Sequence, residues 1–287
     1  MNVTDQIQNF LFEDTDIRGS IVTLDASFQS LLANHEYSSF YKALLSQFVA
    51  ANVLLTTKLK FEGTISLQAR GTTSDLSLAL SECKDDLGFR AILRGDMISE
   101  SSFQRLFDSG VLAITVEPKV GQRYQGMVPL EKDDLAGCVV DYFELSEQLP
   151  TWLYLMPGVD CVRGLMLQAL PAQICQDNDQ REEDWQRLVH LASTIQDQEL
   201  ASLSAHEVLY RLFHEESIRV FEPEPVKFDC SCSQERMERA LIGLGKTELE
   251  SILEEQGVIE TQCEFCAAKY TFGEAEIMHL LQAGSEQ

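Results

Sequence analysis

Positive charge is scarce in this chain. Its 287 residues hold 22 lysines and arginines against 46 aspartates and glutamates, a formal net charge of -24. A nucleic-acid binder needs a basic surface to neutralise phosphates, so this balance argues against one. It argues equally against docking on anionic lipid, and it favours solubility. Long apolar runs are missing too: the longest, Phe48 to Leu55, is too short to span a bilayer. The opening MNVTDQIQNFLFEDTD has no basic region and does not read as a signal peptide. The expected compartment is therefore the cytoplasm. Thiols stay mostly reduced there, so the eight cysteines are not read as a disulfide framework. No Walker loop or dinucleotide fingerprint supports nucleotide use. No G-x-S-x-G elbow surrounds Ser146 and Glu147, so a hydrolase is not expected and no catalytic residue is assigned. Internal repeats and low-complexity tracts are also lacking.

What is present divides into three parts. Residues 1–176 read as an α+β core domain. Leu44, Leu45, Phe48, Val49, Val53 and Leu54 recur at helical spacing between Ser38 and Leu59. Strands are expected at 20–24, 64–69, 76–80, 89–94, 111–117, 123–129, 152–156 and 165–170. A helix is expected from Asp133 to Gln148, stopped by Pro150. Consecutive strands with few helices between them predict antiparallel sheets with packed helices rather than a doubly wound fold. Gln176 to Leu200 is dense in Asp, Glu and Gln, yet residues 177–228 keep two thin apolar stripes: Leu188, Leu191, Ala192, Ile195, and Val208, Leu209, Leu212, Phe213. This segment reads as a helical linker, or equally as an ordinary surface subdomain, ending at Glu222-Pro223-Glu224-Pro225. Residues 229–287 form a small unit: helices at 233–243 and 247–255 (Thr247 and Glu250 matching a capping box), a hairpin over 258–272, and a final helix from Glu274 to Leu281.

Four cysteines in that small unit carry the chemistry. Cys230 and Cys232 form a C-x-C pair, and Cys263 and Cys266 a C-x-x-C pair. Four thiolates in two close pairs are the composition of a closed tetrahedral zinc site. A structural zinc contributes on the order of 10–16 kcal/mol, which exceeds the net stability of roughly 5–15 kcal/mol of a whole domain. Metal and fold are thus expected to be coupled. Zinc-bound thiolates remain nucleophiles toward oxidants, and a sulfenic acid formed on one has a partner in reach. Closure within C-x-x-C is easy. Within C-x-C the Cα atoms are at most roughly 6.6 Å apart, near the upper edge of disulfide geometry. Spacing alone leaves both a permanent staple and an oxidisable switch open, and it favours the staple. Cys83, Cys138, Cys161 and Cys175 are scattered and read as structural, Cys175 as the most accessible. His214 and His279 are dispersed, and four cysteines already complete a site.

The stretch Phe228-Asp229-Cys230-Ser231-Cys232-Ser233-Gln234-Glu235-Arg236, then Cys263-Glu264-Phe265-Cys266 with Tyr270 and Phe272, resembles the redox-regulated heat-shock chaperone of 33 kDa. Arg18-Gly19, Lys60-Phe61-Glu62-Gly63, Tyr124-Gln125-Gly126, Asp141-Tyr142-Phe143, Ser146-Glu147-Gln148-Leu149-Pro150 and Gln168-Ala169-Leu170-Pro171 extend the resemblance over the whole chain. Arg163-Gly164 departs from a usual glycine pair, and Gly137-Cys138 stands in a helix that often has acidic residues. The resemblance implies an ATP-independent holdase of the stress response that binds unfolding client proteins. It implies one zinc on Cys230, Cys232, Cys263 and Cys266 and an inactive reduced form. It further implies oxidation to Cys230–Cys232 and Cys263–Cys266 disulfides, zinc release, unfolding of the tail and linker, and a homodimer when oxidised. Two other readings compete: a thiol-disulfide oxidoreductase using Cys263 and Cys266, which needs C-x-x-C at a helix head, and a zinc-ribbon binding module.

Overall fold

The computed structural model describes residues 5–57, 62–72, 75–98 and 100–284, the side chains of 279 and 282–284 excepted. The chain forms two compact units, residues 1–229 and 230–287. In chain order the first contains β1 (Gln6–Phe12), β2 (Ile17–Leu24), α1 (Ala26–Leu32), α2 (Ser39–Thr56), β3 (Gly63–Arg70), β4 (Leu78–Lys84), β5 (Gly88–Arg94), α3 (Phe103–Leu106), β6 (Val111–Pro118), β7 (Tyr124–Pro129), α4 (Leu135–Tyr142), β8 (Thr151–Met156) and β9 (Val162–Ala169). It continues with α5 (Asn178–Ala192), α6 (Asp197–Ser202), α7 (Ala205–Phe213), β10 (Ile218–Val220), β11 (Glu224–Pro225) and β12 (Lys227–Phe228). One sheet has the order β10-β1-β2-β9-β8, with β11 also on β1; the other has the order β12-β5-β4-β3-β6-β7. Every pairing is antiparallel except that of β12 with β5. This is the α+β architecture expected from the strand runs.

The long helix α2 packs against both sheets. Its apolar residues continue past a single stripe, and every residue from Phe48 to Thr56 is buried. A helix apolar on all sides belongs in an interior. Its polar residues there find partners: Asn52 donates to the Ile65 carbonyl and to Ser81 Oγ, each at 3.2 Å. Strand β9 is buried along its whole length, because α2 covers one face and the α5–α7 layer the other. Gly164 permits the close approach of α2: a Cβ there would lie 3.1 Å from Leu54 Cδ1 and 3.3 Å from Ala50 Cβ. Its neighbour Arg163, where the resemblance leads one to expect glycine, is accommodated at the sheet end. It donates to the Leu24 carbonyl at 2.9 Å and pairs with Asp25 at 2.8 Å. Cys138 is wholly buried in α4, and Gly137 N–H is capped by Asp134.

Helices α5 to α7 lie on the first sheet. Leu188, Ala192, Leu200, Val208, Leu209, Leu212 and Phe213 pack on Phe10, Phe12, Ile17, Ile21, Leu165 and Leu167. The Phe213 ring meets Phe12 edge-on at 5.1 Å. The stripes read from the sequence are the buried faces of α5 and α7, apart from Leu191, which is half-buried, and Ile195, which is buried just beyond the end of α5. Ser204 and Glu207 form the capping box that starts α7. The lead into α5 is fixed by a buried carboxylate. Asp16 accepts the N–H groups of Gln173 (3.2 Å), Ile174 (2.9 Å) and Cys175 (3.3 Å), and it pairs with Arg181 at 2.5 Å. Arg181 also donates to the Leu170 carbonyl at 2.7 Å.

Several elements differ from the sequence reading. The helix from Asp133 is regular only to Tyr142, then runs as a π-helical turn over Phe143–Glu147 and ends at Gln148, whose φ of 54° is left-handed. Its end at Gln148 is the one expected from the sequence; only the regularity of its last turn differs. After α7 the chain returns to the sheets as β10, β11 and β12, short strands whose pairing partners lie far away in sequence. The described residues include the Glu62-Gly63 part of the Lys60–Gly63 turn; Lys60 and Phe61 lie outside them.

The second unit contains α8 (Gln234–Ile242), α9 (Lys246–Gln256), the hairpin β13 (Val258–Gln262) and β14 (Lys269–Gly273), and α10 (Glu274–Gly284). Its core is Leu241, Leu249, Ile259, Phe272 and Ile277. The expected capping box at Thr247 does not form. Gly245, at φ 87°, is the N-cap, so Thr247 falls inside the first turn.

Candidate metal centre

Two separate elements present the four cysteines. Cys230 and Cys232 lie in the irregular segment that leads into α8, where Ser233 caps the helix by accepting Arg236 N–H at 3.3 Å. Ser231 is held by Arg236 Nη1 at 2.6 Å. Cys263 and Cys266 lie in the tight turn between β13 and β14. Cys263 N–H donates to the Ala268 carbonyl at 2.9 Å, and Ala267 N–H to the Cys263 carbonyl at 2.7 Å. Ala267 takes a left-handed φ of 56° to close the turn.

The sulfurs converge. Cys230 Sγ is 3.6 Å from Cys263 Sγ, Cys232 Sγ is 3.4 Å from Cys266 Sγ, and all four lie within 4.8 Å of one another. A tetrahedral ion with metal–sulfur bonds of about 2.3 Å sets sulfurs about 3.8 Å apart. The donor set and its spacing therefore fit a divalent ion that prefers thiolate. Among the described residues no histidine or carboxylate joins the cluster. His214 ends α7 in the first unit beside Tyr210, and the His279 side chain lies outside the described part of the chain.

The thiols are not equivalent. Burial pushes Cys230 and Cys266 above the ordinary thiol range; the sulfur neighbours add to it at Cys266, whereas at Cys230 they act in both directions. Burial also acts on Cys232, but hydrogen bonds from Tyr270 and the other sulfurs outweigh it and leave this thiol below its ordinary value. Tyr270 Oη donates to Cys232 Sγ at 3.1 Å. That bond pushes the phenol up to about 12. Sequence reasoning missed this role. The available signal was a tyrosine in the strand just after Cys266, two residues before the core Phe272 and so on the same strand face. The remaining cysteines stand apart from the cluster as expected. Cys83 and Cys138 are buried, with Cys83 pushed up to about 12 by desolvation, and Cys161 and Cys175 are half-buried.

A family model described as Hsp33 protein matches residues 5–273. A 33 kDa chaperonin of Pseudomonas aeruginosa (strain LESB58) is 43% identical over 291 residues, covering 100% of this chain and 98% of that one. One from Hahella chejuensis is 43% identical over 281 residues (97% and 98%), and one from Shewanella frigidimarina 41% over 278 residues (96% and 95%). Among solved structures, the crystal structure of the 33 kDa chaperonin of Thermotoga maritima has a like fold, with a TM-score of 0.82 at 22% identity over 99% of this chain and 100% of that one. On the match over nearly its whole length, the chain belongs to the Hsp33 family.

Proposed function

We propose that this chain is a redox-regulated, ATP-independent chaperone of the cytoplasm whose switch is the four-cysteine cluster. Family membership, and the name chaperonin borne by its relatives, support a chaperone that binds unfolded client proteins. One observation supports the switch: the four sulfurs of Cys230, Cys232, Cys263 and Cys266 converge from two elements of a unit whose core, among the described residues, has five buried apolar side chains. These cysteines would hold one zinc per reduced chain. Bound zinc would supply a cross-link between the segment before α8 and the hairpin turn, without redox change of its own.

The chemistry belongs to the thiolates. One sulfur donates an electron pair to an oxygen of hydrogen peroxide, the O–O bond breaks and hydroxide leaves, giving a sulfenic acid. The neighbouring thiolate then attacks that sulfur, the S–O bond breaks, a second hydroxide leaves, and a disulfide forms. Each disulfide thus takes one peroxide and two electrons. The pairs are Cys230–Cys232 and Cys263–Cys266. Loss of four thiolate donors frees the ion and removes the cross-link, so the tail unfolds. The 177–228 linker loosens with it, baring the sheet face of Phe10, Phe12, Ile21, Leu165 and Leu167 for clients. The oxidised chain pairs into a homodimer. A thioredoxin-like oxidoreductase is disfavoured because Cys263 and Cys266 sit in a hairpin turn rather than at a helix head.

The test is peroxide treatment at mild heat. Zinc should appear in a chromophoric chelator as suppression of client aggregation switches on. Equal suppression before and after oxidation overturns the switch and leaves a plain chaperone.

A further inference from the structure

Tyr270 belongs to β14, on the hairpin that carries Cys263 and Cys266. The sulfur it contacts, Cys232, belongs to the other half of the cluster, 38 residues earlier in the chain. Strand alternation puts Tyr270 on the same face as Phe272, and its half-buried ring packs against the small core. The ring is thereby anchored and the hydroxyl delivered to one sulfur. The resulting 3.1 Å bond joins the two halves by a route that does not pass through an ion.

Resting on the reading that the four sulfurs hold a metal, we infer that Tyr270 is a positioning residue for Cys232. Its O–H fixes the sulfur opposite Cys266, which tightens metal retention by orienting the ligand, and it draws charge from the thiolate, which slows attack by peroxide at that sulfur. Cys232 needs such a partner. It lies outside any helix or strand, just before the Ser233 cap, whereas Cys263 is fixed by the backbone bonds of its turn. A donor outside the ligand sphere that orients a ligand is commonly worth 10–100-fold in metal affinity. A phenol suits this role, because it gives one proton to sulfur while its ring stays in the core.

The experiment uses the full-length reduced chain loaded with Co2+, whose sulfur-to-metal charge-transfer band reports the energy of the sulfur lone pairs. Tyr270→Phe keeps the ring and deletes the donor. The band should move to longer wavelength, Zn2+ affinity should fall about 10-fold, and peroxide-driven zinc release should quicken. Phe272→Leu, which trims packing on the same strand face and leaves the hydroxyl, should keep the band in place. Failure of Tyr270→Phe to take up cobalt while Phe272→Leu does so is the same result in stronger form. A Tyr270→Phe chain with an unshifted band and unchanged release overturns the inference but spares the metal site. A wild-type chain that takes up no cobalt overturns the metal reading and this inference with it.

Discussion

Phe213 and Phe272 are both almost wholly buried, yet their surroundings are unequal. Phe213 closes a layer in which α5, α6 and α7 cover a sheet, with Phe10, Phe12, Leu165, Leu167, Leu188 and Leu209 in one continuous cluster. Among the described residues, Phe272 shares its core with four other buried apolar side chains: Leu241, Leu249, Ile259 and Ile277. The first region has many redundant contacts, so losing one weakens it without abolishing it. The second has little apolar burial of its own, the situation in which small units commonly carry a staple. On the proposed metal reading its stability is tied to thiol chemistry, whereas that of the first is not.

The widest contrast should appear on metal removal. On the proposed zinc reading, chelation of the reduced chain should withdraw on the order of 10 kcal/mol from the tail. Amide exchange should show α8, β13, β14 and α10 losing protection while β2 and β9 keep theirs. Cys263→Ser should move the same way, and an unaltered zinc affinity would speak against that ligand. Next in size is Phe213→Ala, with an expected loss of about 3–5 kcal/mol in urea unfolding of the first region and no change in metal affinity.

Asp16→Asn should cost about 3 kcal/mol near neutral pH, since three N–H groups and Arg181 lose a buried charge. The effect depends on pH with a definite sign. Burial raises the Asp16 carboxyl, but the N–H groups of Ile174, Gln173 and Cys175 together with Arg181 outweigh it, so the folded value lies below the ordinary one. Its stabilisation is complete above the unfolded value of about 3.9 and disappears as pH falls through the folded value. Urea midpoints of wild type and Asp16→Asn should therefore converge on acidification; a gap that stays constant would mean the charge is not what matters. The smallest effect is expected from Ser204→Ala, about 1 kcal/mol, confined to protection of α7.

The parts legible in the sequence are those whose signal is local. The spacing of Leu44, Phe48 and Val53 marks α2, the alternation of Ile65, Leu67 and Ala69 marks β3, and the cysteine spacing marks the cluster. The parts missed depend on distant partners. Strand β1 has Gln8 buried beside Ile7, which breaks the alternation, because Gln8 Nε2 reaches the Phe221 carbonyl across the chain. Strands β10 to β12 are two or three residues long and exist only by pairing with β1 and β5. Asp16 reads as the polar start of a strand; that it organises residues 173–175 and Arg181 is a tertiary fact. Thr247 and Glu250 match a cap pattern, but Gly245 at positive φ begins the helix two residues earlier. Tyr270 shows the same limit at the cluster, since its hydroxyl matters only once the hairpin brings it to Cys232.

The parallel pair of β12 with β5 ends immediately before Cys230. Asp229 N–H bonds to the Phe89 carbonyl at 2.9 Å, and the Asp229 carboxylate grips Lys84 at 2.5 Å. Fraying that starts in the tail thus meets a firebreak one residue upstream. On the proposed switch, disorder would have to unhook this short strand and its ion pair before reaching residue 213, so the clasp would separate melting of the tail from loosening of the linker.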